Sequence, residues 1–175
     1  MRKILGDERA VIQQVGKVNL DARRCWVDAW AFDALPDRAE ALLRTERNAD
    51  EVEQMAARIC EGNRGVFLAN QPEQPWTLLL RDRLRARATR VVLLLGPALE
   101  DAGKAQAAIE LYHRALEQDN LAEDLYRHLI ACHAKLGQRA EAMAAYRCCR
   151  ELLSIVLGIQ PSAETEQLFR ATQLA

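Results

Sequence analysis

The side chains best suited to chemistry are three histidines, His113, His128 and His133, and five cysteines. His128 and Cys132 form an i, i+4 pair that a helix places on one side, and a following helix would bring Cys148 or Cys149 near. Neither the C-x-x-C nor the H-x-x-x-H spacing of a zinc site is present, however. No histidine has a paired acid or serine at a recognisable spacing, so the converging nucleophile, base and charge stabiliser of an enzyme is missing. The glycines lack phosphate-loop and dinucleotide spacings. No catalytic residue, metal or cofactor is therefore expected. Five is an odd number, and Cys148 and Cys149 are adjacent, so the cysteines read as reduced thiols that serve as small buried residues.

Charge is the other source of chemistry. The net charge of −1 gives no global attraction to nucleic acid or to a membrane, so any such binding must come from a local patch. Two patches qualify. Residues 1–24 carry Arg2, Lys3, Arg9, Lys17, Arg23 and Arg24 against Asp7, Glu8 and Asp21. Residues 81–90 carry Arg81, Arg83, Arg85, Arg87 and Arg90 against Asp82 alone, and on a helix Arg83, Arg87 and Arg90 share a side.

The elements that position these groups follow from a repeat. Gly103 and Gly137 are 34 residues apart, and the same offset relates Ala108 to Ala142, Tyr112 to Tyr146 and Ala115 to Cys149. A glycine turn followed by small, aromatic and small positions is what the second helix of a helix-turn-helix repeat needs, and 34 is the tetratricopeptide period. Helices are expected over 104–118, 121–136 and 138–157, with Gly158 and Pro161 stopping the last and Ser162 capping a final helix that turns Leu168, Phe169 and Leu174 inward.

Upstream, Pro75 suits the first residue of a long helix whose buried stripe is Leu80, Leu84, Ala88, Val91 and Leu95, with Gly96-Pro97 bending it near its end. Residues 62–75 read as a loop, pinned to the core by Val66, Phe67 and Leu68. Asp50 with Glu53 resembles a capping arrangement for a helix over Val52, Met55, Ala56 and Ile59. Asp28 reads as the N-cap of a helix that gathers Trp30, Phe32 and Leu35 into a packing node; Pro36 kinks or restarts it, and it continues through Ala39, Leu42 and Leu43. The first 24 residues differ: Ala10–Gln14 and Lys17–Leu20 are β-prone runs joined by Val15-Gly16, a hairpin, and Arg2–Leu5 reads as the last turn of a helix ended by Gly6. The longest apolar run, Val91–Leu95, is far short of the roughly 20 residues that span a bilayer, and no signal-peptide core opens the chain, so a cytoplasmic address is expected.

Four separated stretches carry a family resemblance. Arg24-Cys25-Trp26-Val27-Asp28-Ala29-Trp30-Ala31-Phe32, Pro75-Trp76 with Leu80-Arg81-Asp82-Arg83-Leu84, Leu121-Ala122-Glu123-Asp124-Leu125-Tyr126-Arg127, and Leu157-Gly158-Ile159-Gln160-Pro161-Ser162 with Glu164-Thr165-Glu166 stand in order along the chain. Together they resemble the bacterial transcriptional activator domain of Streptomyces antibiotic regulatory protein (SARP) type regulators. The resemblance implies an all-α fold of about seven helices in tetratricopeptide-like antiparallel hairpins over residues 25–175. It also implies that residues 1–24, with their β-hairpin, are the tail of a winged-helix DNA-binding domain, with Arg2, Lys3 and Lys17 on its DNA-facing edge. First-helix residues line the concave side of such repeats, which singles out Arg90, Asp124 and Arg127, with Arg83 and Arg87 nearby, as partner contacts. The implied role is a regulatory and oligomerisation module. Its implied partners are the winged-helix domain of the same protein, DNA through that domain, RNA polymerase or other regulator domains, and a second copy; no membrane is involved. By itself the chain is expected to bind duplex DNA weakly and without sequence preference. The competing reading is a repeat adaptor that binds a protein or peptide with no role in transcription. The sequence departs from the family pattern at Val66, Asn120 and Gly96-Pro97, the last interrupting a helix that is normally continuous.

Overall fold

A computed structural model of the chain describes residues 7–45, 48–62, 70 and 74–174. It divides into two compact units, Met1–Ala34 and Leu35–Ala175. In the first, a short 3-10 turn, Glu8–Ala10, leads into strands β1, Val11–Gln14, and β2, Lys17–Leu20, followed by helix α1, Asp28–Asp33. The strands pair antiparallel, from Val11 opposite Leu20 to Gln14 opposite Lys17. Val15 and Gly16 both have positive φ, 47° and 71°, the two-residue turn whose twist matches a hairpin. Asp7 accepts the Arg9 N–H at 2.8 Å and pairs with Arg24 at 3.0 Å.

Two expectations for this unit change. The N-cap of α1 is Val27; Asp28 is the first helical residue, and its carboxylate accepts the Ala29 N–H at 2.7 Å. The aromatics here form no packing node either, because nothing in α1 is buried and Trp26 is 81% exposed. The expected terminal helix turn at Arg2–Leu5 lies outside the described residues.

The second unit is all helical. Its described helices are α2 (Leu35–Arg44), α3 (Ala49–Gly62), α4 (Pro75–Asp101), α5 (Ala105–Leu116), α6 (Glu123–Lys135), α7 (Arg139–Leu152) and α8 (Ala163–Leu174). Helix α2 restarts at the proline, with Pro36 in its first turn. Helix α4 opens on Pro75, with Thr77 and the Gln74 backbone closing a capping box. Its stripe Val91, Val92, Leu95 and Leu99 meets Ala39, Val52, Ala56 and Ile59 from α2 and α3, and Ile109, Leu111 and Tyr112 from α5, in one core that continues through Leu125, Leu129 and Ile130 to Tyr146 and Cys149. Burial of these apolar surfaces, at roughly 25 cal/mol per Å², is the main force holding the helices together. No described helix is long and apolar enough to cross a membrane.

The 34-residue repeat is visible atom by atom. Gly103 and Gly137 have φ of 76° and 70°. Lys104 N–H reaches Leu99 O at 2.8 Å and Gly103 N–H reaches Glu100 O at 3.1 Å; Gln138 to His133 at 2.9 Å and Gly137 to Ala134 at 3.0 Å repeat the pair. This is the left-handed Schellman closure, twice. Ala108 and Ala142, Tyr112 and Tyr146, and Ala115 and Cys149 are all buried.

Three further expectations give way. Gly96-Pro97 does not interrupt α4, which runs on to Asp101, since the fully buried Leu95 and Leu99 on either side hold the helical path. Gly96 has its own role: a Cβ there would stand 2.2 Å from the Tyr112 hydroxyl oxygen, so the glycine makes room for the ring. At the start of α3 it is Asn48 that accepts the Asp50 N–H, at 3.1 Å. Asp50 and Glu53 instead converge on Lys104 Nζ, each at 2.5 Å, and tie α3 to the first glycine turn. Finally, α7 does not remain an α-helix to Leu157; it loosens into a π turn, Leu153–Leu157, which the left-handed Gly158 ends. The expected core contacts of Val66, Phe67 and Leu68 lie outside the described residues, and the side chain of Leu174 is likewise not described.

Candidate functional site

A buried polar cluster is the first place to look for chemistry. Glu100, one turn before Gly103, is 8% exposed, and both of its oxygens are engaged. Oε1 accepts from the Tyr112 hydroxyl at 2.8 Å and from His128 Nδ1 at 3.0 Å; Oε2 accepts from Lys135 Nζ at 2.9 Å. The Tyr112 and His128 rings stack at 5.3 Å between centroids. Burial by itself would raise the Glu100 carboxyl, but the hydrogen bonds from His128, Lys135 and Tyr112 outweigh it and hold the group down at about 2. Burial pushes the Tyr112 phenol up, and the Glu100 charge adds to this. Burial likewise raises the neighbouring Cys132 thiol to about 12. An acid held ionised and a phenol held protonated exchange no proton near neutral pH. The cluster is a clamp that joins α4, α5 and α6. Sequence reasoning missed it because His128 lies 28 positions from its acid, beyond any local spacing rule.

The second cluster closes the end of the repeat array. Glu123 Oε1 accepts from the Ser162 N–H at 2.7 Å, the Ser162 hydroxyl at 2.6 Å and the Thr165 hydroxyl at 2.5 Å. Burial opposes ionisation of Glu123, but these bonds prevail and lower its pKa. Arg127 bonds to Asp124, reaches the Ser162 hydroxyl at 3.4 Å and lies 3.5 Å from Glu164. Ser162 also caps α8 through the Thr165 N–H, as its position in the sequence suggested. Of the two expected partner contacts in this repeat, Arg127 is thus part of the seam that seats α8 on α6, while Asp124 stays 54% exposed beside it.

The corresponding part of the first repeat is open. A shallow groove of about 470 Å³ is lined by Ala86, Thr89, Arg90, Leu93 and Leu94 of α4 and by Asp119 from the turn between α5 and α6. Moved forward by 34, Thr89, Arg90 and Leu93 become Glu123, Asp124 and Arg127, of which Glu123 and Arg127 reach the opening turn of α8 while Asp124 stays exposed. Thr89 offers no carboxylate to receive a helix start. Arg90 is 59% exposed and pairs with Glu40 of α2 at 2.5 Å. Arg83 and Arg87 precede it on the same side of α4, the first exposed and the second half-buried. Of the expected DNA contacts, Lys17 is exposed on β2. Arg2 and Lys3 lie outside the described residues. Sequence reading missed Leu93 and Leu94, because leucine at helical spacing reads as core, and Asp119, because a turn residue carries no periodic signal.

Among the described residues no group of three or more His, Cys, Asp or Glu side chains is placed to hold a metal ion. Comparison with known proteins bears on the family directly. A family profile described as "Bacterial transcriptional activator domain" matches residues 27–173. No curated protein sequence matches the chain. Among solved structures it is similar to Mycobacterium tuberculosis EmbR in complex with a low-affinity phosphopeptide, at 19% identity and a TM-score of 0.68, over 99% of this chain and 47% of that one. At that identity the likeness is one of fold, and the chain spans less than half the length of its structural neighbour.

Proposed function

The chain belongs to the bacterial transcriptional activator domain family, and from that premise we propose that it is the regulatory and protein-interaction module of a DNA-binding transcriptional regulator. The family match over residues 27–173, which takes in the whole helical repeat, is the observation that carries this reading. Two features support it. The buried ionisable groups around Glu100 are committed to joining helices, and the repeat has a surface groove beside a run of arginines. In this reading residues 1–24 close a winged-helix domain of the same protein, the activator domain proper follows over 25–175, and DNA is reached through the winged helix, with Arg2, Lys3 and Lys17 on its edge. The helical unit then meets RNA polymerase, another regulator domain or a second copy through Arg83, Arg87 and Arg90, and works in the cytoplasm. Asp124, exposed on α6, is a further contact of that kind, and Arg127 contributes by holding α8 in place.

The test uses the intact regulator in its host, with chromatin immunoprecipitation read beside RNA sequencing. Excision of residues 35–174 is expected to leave most binding sites occupied while transcripts of the genes beside them fall by about tenfold or more, a coupling loss of ordinary size for a regulatory contact. Unchanged transcripts would contradict the proposal.

A further inference from the structure

Resting on that reading and going beyond it to the partner's chemistry, we infer that the α4 groove holds a peptide segment of a partner protein that is acidic at one end and apolar at the other. Arg83, Arg87, Arg90 and Leu94 follow one another at helical steps of four, three and four, and Ala86 and Leu93 each lie three residues from a member of that row, so the six form one stripe along α4. The stripe is polarised. Its first half is arginine and alanine; its second half, Leu93 and Leu94, belongs to the groove wall. Five arginines between positions 81 and 90 face one acid within the segment, Asp82, which lies 4.0 Å from Arg85. Arg90 keeps donors to spare beside Glu40, because a guanidinium has five N–H groups and a carboxylate engages two at most. An amphipathic segment laid into such a groove sets its apolar residues on the leucines and its carboxylates among the guanidinium groups.

The second repeat shows how such a face is satisfied when the chain supplies the occupant. There the opening turn of α8 brings Glu164 to within 3.5 Å of Arg127 and gives its hydroxyls to Glu123. In the first repeat the acceptor is replaced by Thr89 and the arginine by Leu93, which suits an occupant with carboxylates and apolar side chains and not a hydroxyl-rich helix start. A peptide fits better than nucleic acid. The apolar wall of Leu93 and Leu94 gives a phosphate backbone nothing to bind, whereas the apolar end of a peptide is buried against it.

Fluorescence anisotropy of the 175-residue chain tests the inference, with a fluorescein-labelled peptide of four glutamates followed by a leucine-rich helical turn, its glutamine counterpart, and a labelled DNA duplex of mixed sequence. The acidic peptide is expected to bind in the micromolar range. Affinity should drop at least about tenfold for the glutamine peptide, for the Arg83→Glu/Arg87→Glu double variant, and for Ala86→Glu, which sets a carboxylate in the stripe without removing an arginine. Thermal melting of each variant confirms that it is folded. Equal binding of the two peptides, no binding at millimolar peptide, or a duplex that binds more tightly than the peptide and is equally sensitive to Ala86→Glu would each overturn the inference. Loss of transcription on excision of residues 35–174 would still stand in every one of those cases, so the two readings fail separately.

Discussion

The two glycine-centred repeats share a Schellman turn, a buried alanine and a buried tyrosine, but they complete themselves differently. In the first, the tyrosine lies against a bare glycine backbone at Gly96, stacks on His128 and donates to a buried carboxylate. In the second, Tyr146 stacks on Phe169 of α8 at 3.7 Å between centroids, and its hydroxyl goes to Glu166. The first repeat therefore invests its polar groups inward and keeps a groove on its outer face, whereas the second seats the last helix through Glu123 and Arg127 on one side and Tyr146 on the other. A repeat array needs such an end cap, since each unit buries only what its neighbour covers. An array closed at one end keeps free surface elsewhere, and here that surface is the arginine-rich side of α4.

The comparison can be broken most forcefully at Gly96. A Gly96→Val variant puts carbon atoms into the Tyr112 ring and is expected to cost about 3 kcal/mol or more, lowering Tm by roughly 6 to 12 °C in a scanning melt. At the position 34 residues on, Ile130→Val removes one methylene from a filled site and should cost about 1 kcal/mol. Similar losses at both would show that the tyrosines are packed alike.

The Glu100 clamp gives the next effect in size. Glu100→Gln leaves Lys135 and His128 without their anion and should cost about 3 kcal/mol, against about 1 kcal/mol for Glu123→Gln at the more open seam, both read by urea denaturation. The pH dependence carries the same information. Because the Glu100 carboxyl is depressed from 4.5 to about 2, its contribution is fully present above pH 4.5 and is lost as the pH falls towards 2. The wild-type chain should lose about 3 kcal/mol more than Glu100→Gln across that window. Parallel curves for the two proteins would remove the clamp from the account.

The smallest effects test equivalence itself. Gly103→Ala and Gly137→Ala each force alanine into left-handed backbone with open space around it, so each should cost about 1 kcal/mol, and the two values should agree.

Much of this architecture was legible in the chain because it is written locally. The positions of Gly103 and Gly137, the Val15-Gly16 turn, Pro75 at the start of α4 and Ser162 before α8 are each fixed by backbone rules that act within a few residues. The failures share one cause. Asp50 with Glu53 looked like a capping pair, but both serve Lys104, more than 50 positions away. Glu100 reaches His128, and Arg90 reaches Glu40, over separations that no periodicity encodes. Trp30 and Phe32 read as a packing node because aromatics crowd there, yet the six-residue α1 buries nothing. In the candidate site the arginines could be picked out by charge, whereas the groove beside them depends on where the turn carrying Asp119 passes α4.

The most direct measurement of the central claim, that the first repeat presents the working face and the second is sealed by α8, is a nitrogen-15 correlation spectrum of the chain titrated with the acidic peptide. The account predicts that amide shifts move at Ala86, Thr89, Arg90 and Asp119 while Glu123, Asp124 and Arg127 stay in place. Shifts gathered on Asp124, Arg127 and the start of α8, with α4 unmoved, would contradict it.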